Sequence, residues 1–150
     1  MRNSLIASVL LLLWGCASTG SGERPAGHVV LDREHAAVPS YWAPGEDEIQ
    51  ALESDLARLF THPDHRFNGP GGLRLLKYGI RYHGTVENGK EIIVGEGTLL
   101  LSKSLAKFVD ENSQPDSPIL HTFGGGTAFF TVYYDPALKK VLRVDFNAAF

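Results

Sequence analysis

The chain has almost no cysteine and no strong excess of charge. It contains one cysteine in 150 residues, so an internal disulfide is excluded and the fold must depend on an apolar core. The formal charge is −3, and the basic residues cluster only at 139–143, which argues against nucleic acid as a partner. The hydrophobic content of 43% is typical of one globular domain.

The usual motifs of nucleophilic and metal-dependent catalysis are also missing. The sequence contains no Gly-x-Ser-x-Gly and no His-Glu-x-x-His. His62 and His65 stand three residues apart, but a zinc site needs further ligands and none clusters nearby in the sequence. The three glycines at 124–126 precede a strand pattern, whereas a phosphate loop normally opens a helix. We therefore expect no metal, no cofactor and no motif-based catalytic residue, and we interpret both segments as plain loops.

The apolar run near the start of the chain is too short to cross a bilayer. It covers residues 5–14, about half of the ~20 residues that a spanning helix requires. Because Arg2 precedes it, the run is typical of a secretory signal peptide. It ends in Gly15-Cys16, which resembles the lipobox of bacterial lipoproteins, where a small residue precedes a cysteine that becomes acylated. The alternative is an ordinary signal peptide with an incidental cysteine.

The resemblance to lipoproteins implies a division of the chain. It predicts a signal peptide over residues 1–15, an acylated Cys16 that anchors the chain in a membrane, and a flexible tether over 16–40. Ala17 stands where such lipoproteins commonly carry an aspartate that signals inner-membrane retention. The resemblance therefore predicts a lipid anchor in the bacterial outer membrane and a single domain, 41–150, in the periplasm.

One main helix is predicted to begin near residue 46 and to end before Pro63. Acidic residues at 46–48 fill its first turn, where carboxylates interact favourably with the helix dipole. Glu53, Asp55 and Arg58 are expected to lie off its apolar face. Apolar residues at steps of three and four form one stripe, Ile49, Leu52, Leu56, Leu59 and Phe60.

A first hairpin is predicted around Asn88-Gly89, which supplies the positive φ angles of a two-residue type I′ turn. The short loop fixes the register and sets Arg81 opposite Glu96. These two residues and His83 then belong to a face that we expect in water. The opposite face is apolar and is expected to pack against the helix: Leu76, Tyr78, Ile80, Tyr82, Ile93, Leu99 and Leu101.

A second hairpin is predicted from the turn that begins at Asp135-Pro136. A five-residue loop sets Val132 opposite Leu142 on an apolar face and leaves Val141 on the polar face. A register shifted by one residue would mix the two faces, so we reject it. Three minor elements are also expected, an edge strand at 28–31, a short helix at 102–110 and a strand at 119–123.

Several motifs follow one another in the last two-thirds of the chain. They are Tyr-Trp-Ala-Pro at 41–44, Tyr-Gly-Ile-Arg-Tyr-His-Gly at 78–84, Asn-Gly-Lys-Glu-Ile-Ile at 88–93, Gly-Gly-Gly-Thr-Ala-Phe-Phe at 124–130, Tyr-Asp-Pro at 134–136 and Val-Asp-Phe-Asn at 144–147. Together they resemble a family of uncharacterised small bacterial secreted proteins and lipoproteins. The resemblance implies no activity. It implies an α+β fold of cystatin-like outline, in which one main helix packs on a four- to five-stranded antiparallel sheet.

If both hairpins share one sheet, polar side chains collect on the face opposite the helix. This face is rich in arginine and aromatic residues, as interfaces are. The alternative is a solvated face held by the cross-strand pairs Arg81–Glu96 and Phe129–Asp145, which is common in antiparallel sheets. The candidate binding residues are Arg81, His83, Glu96, Thr131, Tyr133, Arg143 and Asp145.

The sequence therefore predicts a membrane-tethered periplasmic binding or accessory module. Its expected partners are the membrane, through Cys16, and an envelope protein or peptide, through the candidate face. One alternative is an envelope hydrolase that uses His83 with Asp145 or Glu96, which requires His83 within proton-transfer reach of a substrate. Another is a small inhibitor or immunity protein.

Overall fold

The computed structural model describes residues 23–31, 42–100, 107 and 125–147. Within these residues the fold is α+β, with one long helix and six strands. Single turns of 3₁₀-helix lead into the third and fifth strands. The bounds in chain order are β1 Gly27–Val30, α1 Glu46–Thr61, β2 Phe67–Asn68, β3 Tyr78–Glu87, β4 Lys90–Leu99, β5 Phe129–Asp135 and β6 Lys140–Phe146.

Several predicted segments lie outside the described residues. They are the signal peptide, Cys16, the strand at 119–123 and, apart from Lys107, the helix at 102–110. The part of the predicted tether that is described, 23–31, contains β1, so the tether is not a flexible linker throughout. None of the helical segments in the described ranges is long and apolar enough to span a membrane.

The six strands form one sheet in the order β1-β3-β4-β5-β6-β2. The four central strands are antiparallel, whereas β1 and β2 pair in parallel with β3 and β6. The prediction of a four- to five-stranded antiparallel sheet was therefore wrong in two respects. The sheet has six strands, and both edge strands are parallel to their neighbours. The edge strand expected at 28–31 is present as β1. Strand β2 lies in a segment predicted as a loop, because two residues are too few to show an alternating pattern.

Helix α1 has nearly the predicted bounds. The backbone N–H of Gly45 donates to Glu48 Oε2 at 2.8 Å, and the acidic residues at 46–48 occupy the first turn. All five residues of the predicted stripe are buried. Glu53 was expected off the stripe but is only 5% exposed. It follows Ile49 by four residues and so lies one turn further along the same side of the helix.

The first hairpin is confirmed in its turn and its register. Asn88 and Gly89 have φ angles of 52° and 76°, both positive as the type I′ turn requires. Ten consecutive residue pairs join β3 and β4, and Arg81 lies opposite Glu96 as predicted. Because the side-chain period of a strand is two, a register shifted by one residue would mix the apolar and polar faces of the hairpin.

The core lies between α1 and the apolar face of the sheet. Rings of Phe67 and Phe130 pack edge-on against Phe60, with centroids 5.2 and 5.5 Å away. Leu76 was wrongly placed on this face: it is 41% exposed because it lies in the 3₁₀ turn before β3, where strand alternation does not hold. Leu101 is outside the described residues. Four of the predicted residues are at most 1% exposed, namely Tyr78, Ile80, Tyr82 and Ile93.

The second hairpin differs from the prediction in its turn and its register. Asp135 pairs with Lys140, so the loop has four residues rather than five. A β-bulge follows, in which Leu142 has no partner on β5. Beyond the bulge, Val132 lies opposite Val144, two residues further along β6 than predicted.

The bulge exchanges the environments of two apolar residues. Val141, expected on the polar face, is fully buried, and Leu142, expected in the core, is 40% exposed. Contacts from outside the hairpin hold this arrangement. The N–H of Val141 donates to Asp55 Oδ2 at 2.8 Å, and Arg66 Nη1 donates to the Val141 carbonyl at 3.0 Å. The register of this hairpin therefore depends on tertiary contacts as well as on its own turn.

Candidate binding face

The seven candidate residues lie on one face of the sheet, opposite α1, in two adjacent rows across the central strands. The rows arise because directly paired residues of neighbouring strands point to the same side. We refer to these two rows as the polar face. The predicted pairing of Phe129 with Asp145 was wrong, since the bulge moves Asp145 opposite another residue. The rows are Arg81–Glu96–Thr131–Asp145 and His83–Val94–Tyr133–Arg143.

Arg81 and Glu96 form the predicted cross-strand ion pair. Nη2 and Nε of Arg81 donate to Glu96 Oε2 at 2.7 and 3.0 Å. The expectation that Arg81 lies in water was wrong, because it is only 5% exposed. A buried ion pair is strongly destabilised when one partner is removed, since the other charge is then left in a low-dielectric environment. This end of the polar face therefore contributes to the fold and offers little surface to a partner.

His83 is also buried, with 5% of its surface exposed. Burial lowers the pKa of His83, because it disfavours the protonated imidazole. The nearby Glu96 carboxylate acts in the opposite direction, and the charge of Arg81 lowers the pKa further. His83 is therefore a neutral imidazole at neutral pH and is not a surface contact.

The accessible part of the polar face is at β5 and β6. The guanidinium carbon of Arg143 lies 4.0 Å from the centroid of the Tyr133 ring, and Nε of Arg143 lies 2.9 Å from Asp145 Oδ2. The Arg143 and Asp145 side chains are 57% and 45% exposed. Stacking on the ring orders a planar guanidinium, more than half of whose side chain is exposed. This combination of tyrosine and arginine is common at the centres of protein interfaces.

Two carboxylates were considered for a hydrolytic site with His83. Glu96 lies near His83 but accepts hydrogen bonds from Arg81, and Asp145 is distant. His83 lies on β3 and Asp145 on β6, three strand spacings apart, which is about 14 Å at ~4.8 Å per strand. A cavity of about 910 Å³ lies on the other side of the sheet, between α1 and the β5–β6 turn, and none of the seven candidate residues lines it.

The histidine pair after α1 does not form a metal site with its neighbours. Within the described ranges, no group of three His, Cys, Asp or Glu side chains is placed to hold a metal ion. His62 and His65 are exposed. Asp64, which lies between them in sequence, accepts hydrogen bonds from Arg66, and these hold the pKa of Asp64 far below its usual range.

The sequence analysis missed a buried polar cluster on the helix side of the sheet. Glu53 Oε1 lies 2.8 Å from His28 Nδ1 and 3.5 Å from the Tyr82 hydroxyl, so the cluster links α1, β1 and β3. The hydrogen bond to Glu53 raises the pKa of His28, against the effect of burial, and the charge of Glu46 adds to the increase. The sequence did contain a signal for the burial of Glu53. It follows Ile49 by four residues, which places both on the same side of the helix.

No protein-family model matches the chain, and no curated protein or solved structure matches it significantly. The resemblances to a lipobox and to a family of small bacterial secreted proteins therefore stay predictions. Function has to be inferred from the geometry of the polar face and the surfaces around it.

Proposed function

We propose that the chain is a lipoprotein, acylated at Cys16 and anchored in the bacterial outer membrane, with residues 41–150 in the periplasm. The apolar run at 5–14 followed by Gly15-Cys16 supports the anchor.

The domain is proposed to be a non-catalytic binding or accessory module for an envelope protein or peptide. The observation that carries this proposal is the group formed by half-buried Tyr133 and the exposed side chains of Arg143 and Asp145. It offers an aromatic ring, a cation and an anion within one small area, so it can recognise a peptide by both shape and charge. Arg81 and His83, at the other end of the polar face, are buried and are assigned a supporting role.

The fold proposed is of cystatin-like outline in its central part. One helix packing on four antiparallel strands supports this likeness, and the parallel edge strands are additions to it. The hydrolase alternative has less support, because His83 is buried and Asp145 lies three strands from it.

The test is crosslinking in the native envelope followed by identification of the captured partner. The informative variant is Arg143→Glu, since Arg81 is buried and its substitution would disturb the fold. Arg74→Glu is the matched control, because Arg74 is 60% exposed, also pairs with a carboxylate, and lies outside the polar face. Arg143→Glu should abolish capture at an unchanged melting temperature, and Arg74→Glu should not.

Equal capture by the wild type and Arg143→Glu would remove the polar face from consideration. A captured toxic enzyme, inactive in the complex, would instead identify the inhibitor or immunity alternative.

A further inference from the structure

The cavity beside α1 is a shallow basic groove on the helix side of the sheet. Its volume is about 910 Å³, and it lies between the outer side of α1 and the β5–β6 turn. The charged residues that line it are Arg58, Arg66, Lys139, Lys140 and the single carboxylate Asp55. The chain as a whole has a formal charge of −3, so four cationic side chains around one groove concentrate charge of the opposite sign.

The one carboxylate in the basic groove is already occupied. Asp55 Oδ1 accepts from Arg58 Nη2 at 2.7 Å, and Oδ2 accepts from the Val141 N–H at 2.8 Å and from Arg66 Nη1 at 3.3 Å. Asp55 and its two arginines therefore hydrogen-bond to one another and position the backbone of β6. They leave the charges of the two lysines uncompensated.

Lys139 and Lys140 are exposed, and neither side chain forms a hydrogen bond or ion pair with the rest of the described chain. Lys139 is the last residue of the β5–β6 turn and Lys140 is the first residue of β6. The turn is held by its own contact from the Leu138 N–H to Asp135 Oδ1 at 2.9 Å. The lysine side chains are therefore not needed to close the turn. Their ammonium groups are available to a ligand.

Lys139 has a backbone conformation that lysine rarely adopts. Its φ angle is 50°, in the left-handed region where glycine and asparagine are favoured. Residues held in such conformations are found disproportionately at ligand sites. Asparagine would form the same turn with less strain, so the local backbone gives no reason for a lysine at this position.

We propose that the basic groove binds a phosphate group, carried by a small phosphorylated molecule or by the headgroup of an anionic phospholipid. Two lysines supply compact charges, and Arg58 has N–H groups beyond those that contact Asp55. A phosphate offers more negative charge and more acceptor oxygens than a carboxylate, so it matches this set better. The proposal is independent of the role of the polar face.

The first test is isothermal titration of the full chain with inorganic pyrophosphate. The variant is Lys139→Asn with Lys140→Gln, in which asparagine keeps the left-handed turn. The matched control is Lys77→Gln with Lys90→Gln, which removes two exposed lysines elsewhere. The groove variant should bind about tenfold more weakly or worse, and the control should stay within about twofold of the wild type.

The melting temperature of the groove variant should be equal to or above that of the wild type, because the strained lysine is gone. Equal weakening in both variants would overturn the proposal, as would wild-type affinity in the groove variant.

The second test separates the two sources of phosphate. The chain with Cys16→Ser, which cannot be acylated, is sedimented with vesicles of phosphatidylglycerol or of phosphatidylcholine. Lysine-dependent binding to phosphatidylglycerol alone would assign the headgroup, and binding to pyrophosphate alone would assign a soluble ligand. Binding to neither would overturn the proposal.

Discussion

His28 Nδ1 lies 2.8 Å from Glu53 Oε1, and this contact joins the edge strand β1 to the buried side of helix α1. Strand β1 is also held by its parallel pairing with β3, by flanking backbone hydrogen bonds of Ala26 and Leu31, and by packing of Val30 against the core. The groups that face the imidazole are Glu53 and Glu46 on α1 and the ring of Tyr82 on β3. The strength of the His28–Glu53 contact therefore depends on whether His28 is protonated.

We expect the His28–Glu53 contact to stabilise the fold more at low pH than at high pH. Its hydrogen bond raises the pKa of His28 in the folded state above the unfolded value of about 6.5. The stabilisation is then complete below about pH 6.5 and is lost as the pH rises through the folded-state pKa. The free energy of unfolding of the wild type and His28→Gln should therefore converge as the pH rises. The control is His65→Gln, at a histidine whose side chain is 88% exposed and lies outside this cluster.

Asp55→Asn should make the fold less stable near neutral pH and less sensitive to acid. Burial alone would raise the pKa of Asp55, but the Val141 N–H, Arg58 and Arg66 together lower it. The stabilisation is present above the unfolded value of about 3.9 and is lost as the pH falls through the folded-state pKa. The expected cost at pH 7 is about 1–3 kcal/mol by urea denaturation.

The control for Asp55→Asn is Asp47→Asn, an exposed residue of the same helix. A wild type that loses no more stability on acidification than Asp55→Asn would contradict the expectation.

Phe60→Ala should cost about 3–5 kcal/mol of unfolding free energy, since it leaves a cavity among packed aromatic rings. Phe60 is 3% exposed and contacts rings on four strands of the sheet. Phe60→Leu keeps more of the volume and should cost less. Leu138→Ala, at a residue 66% exposed, should stay within about 0.5 kcal/mol of the wild type. A small effect of Phe60→Ala would show that the helix does not pack on the sheet as described.

Gly97→Ala should destabilise the fold by about 1–3 kcal/mol through overpacking. A Cβ at this position would overlap Cε1 of Phe130, which is only 1% exposed. Gly71→Ala meets no atom within 4 Å and should be neutral or slightly stabilising. In a double-mutant cycle, Phe130→Leu should reduce the cost of Gly97→Ala. Additive effects would argue against direct contact.

The two hairpins show which part of the fold can be predicted from local sequence. The sequence Asn88-Gly89 favours a two-residue type I′ turn, so the register of all ten pairs follows from the turn. The turn after Asp135 accepts loops of different length. Its register is set by Asp55 and Arg66, which come from segments distant in the sequence.

The candidate site was predictable to a similar extent. The alternation of side chains was enough to place all seven residues on one face, because both rows follow from strand pairing. Their burial was not predictable. A charged residue such as Arg81 is normally expected in solvent. The ion pair with Glu96 stabilises the buried guanidinium, and Arg81 is only 5% exposed. The alternation of side chains shows which face a residue is on, but not whether a polar face is buried.

The contacts around Val141 also protect the sheet from other copies of itself. The edge of a sheet normally offers backbone N–H and C=O groups on which a further strand can assemble. The first part of β6 lies at such an edge, because β2 pairs only with Val144 and Asp145. On β6, the N–H of Val141 donates to the side chain of Asp55, and the carbonyl of Val141 accepts from the side chain of Arg66. The N–H of Val144 donates to the backbone carbonyl of Arg66. Self-association through this border is thus blocked by residues that also shape the bulge, so loosening the bulge would expose the chain to aggregation.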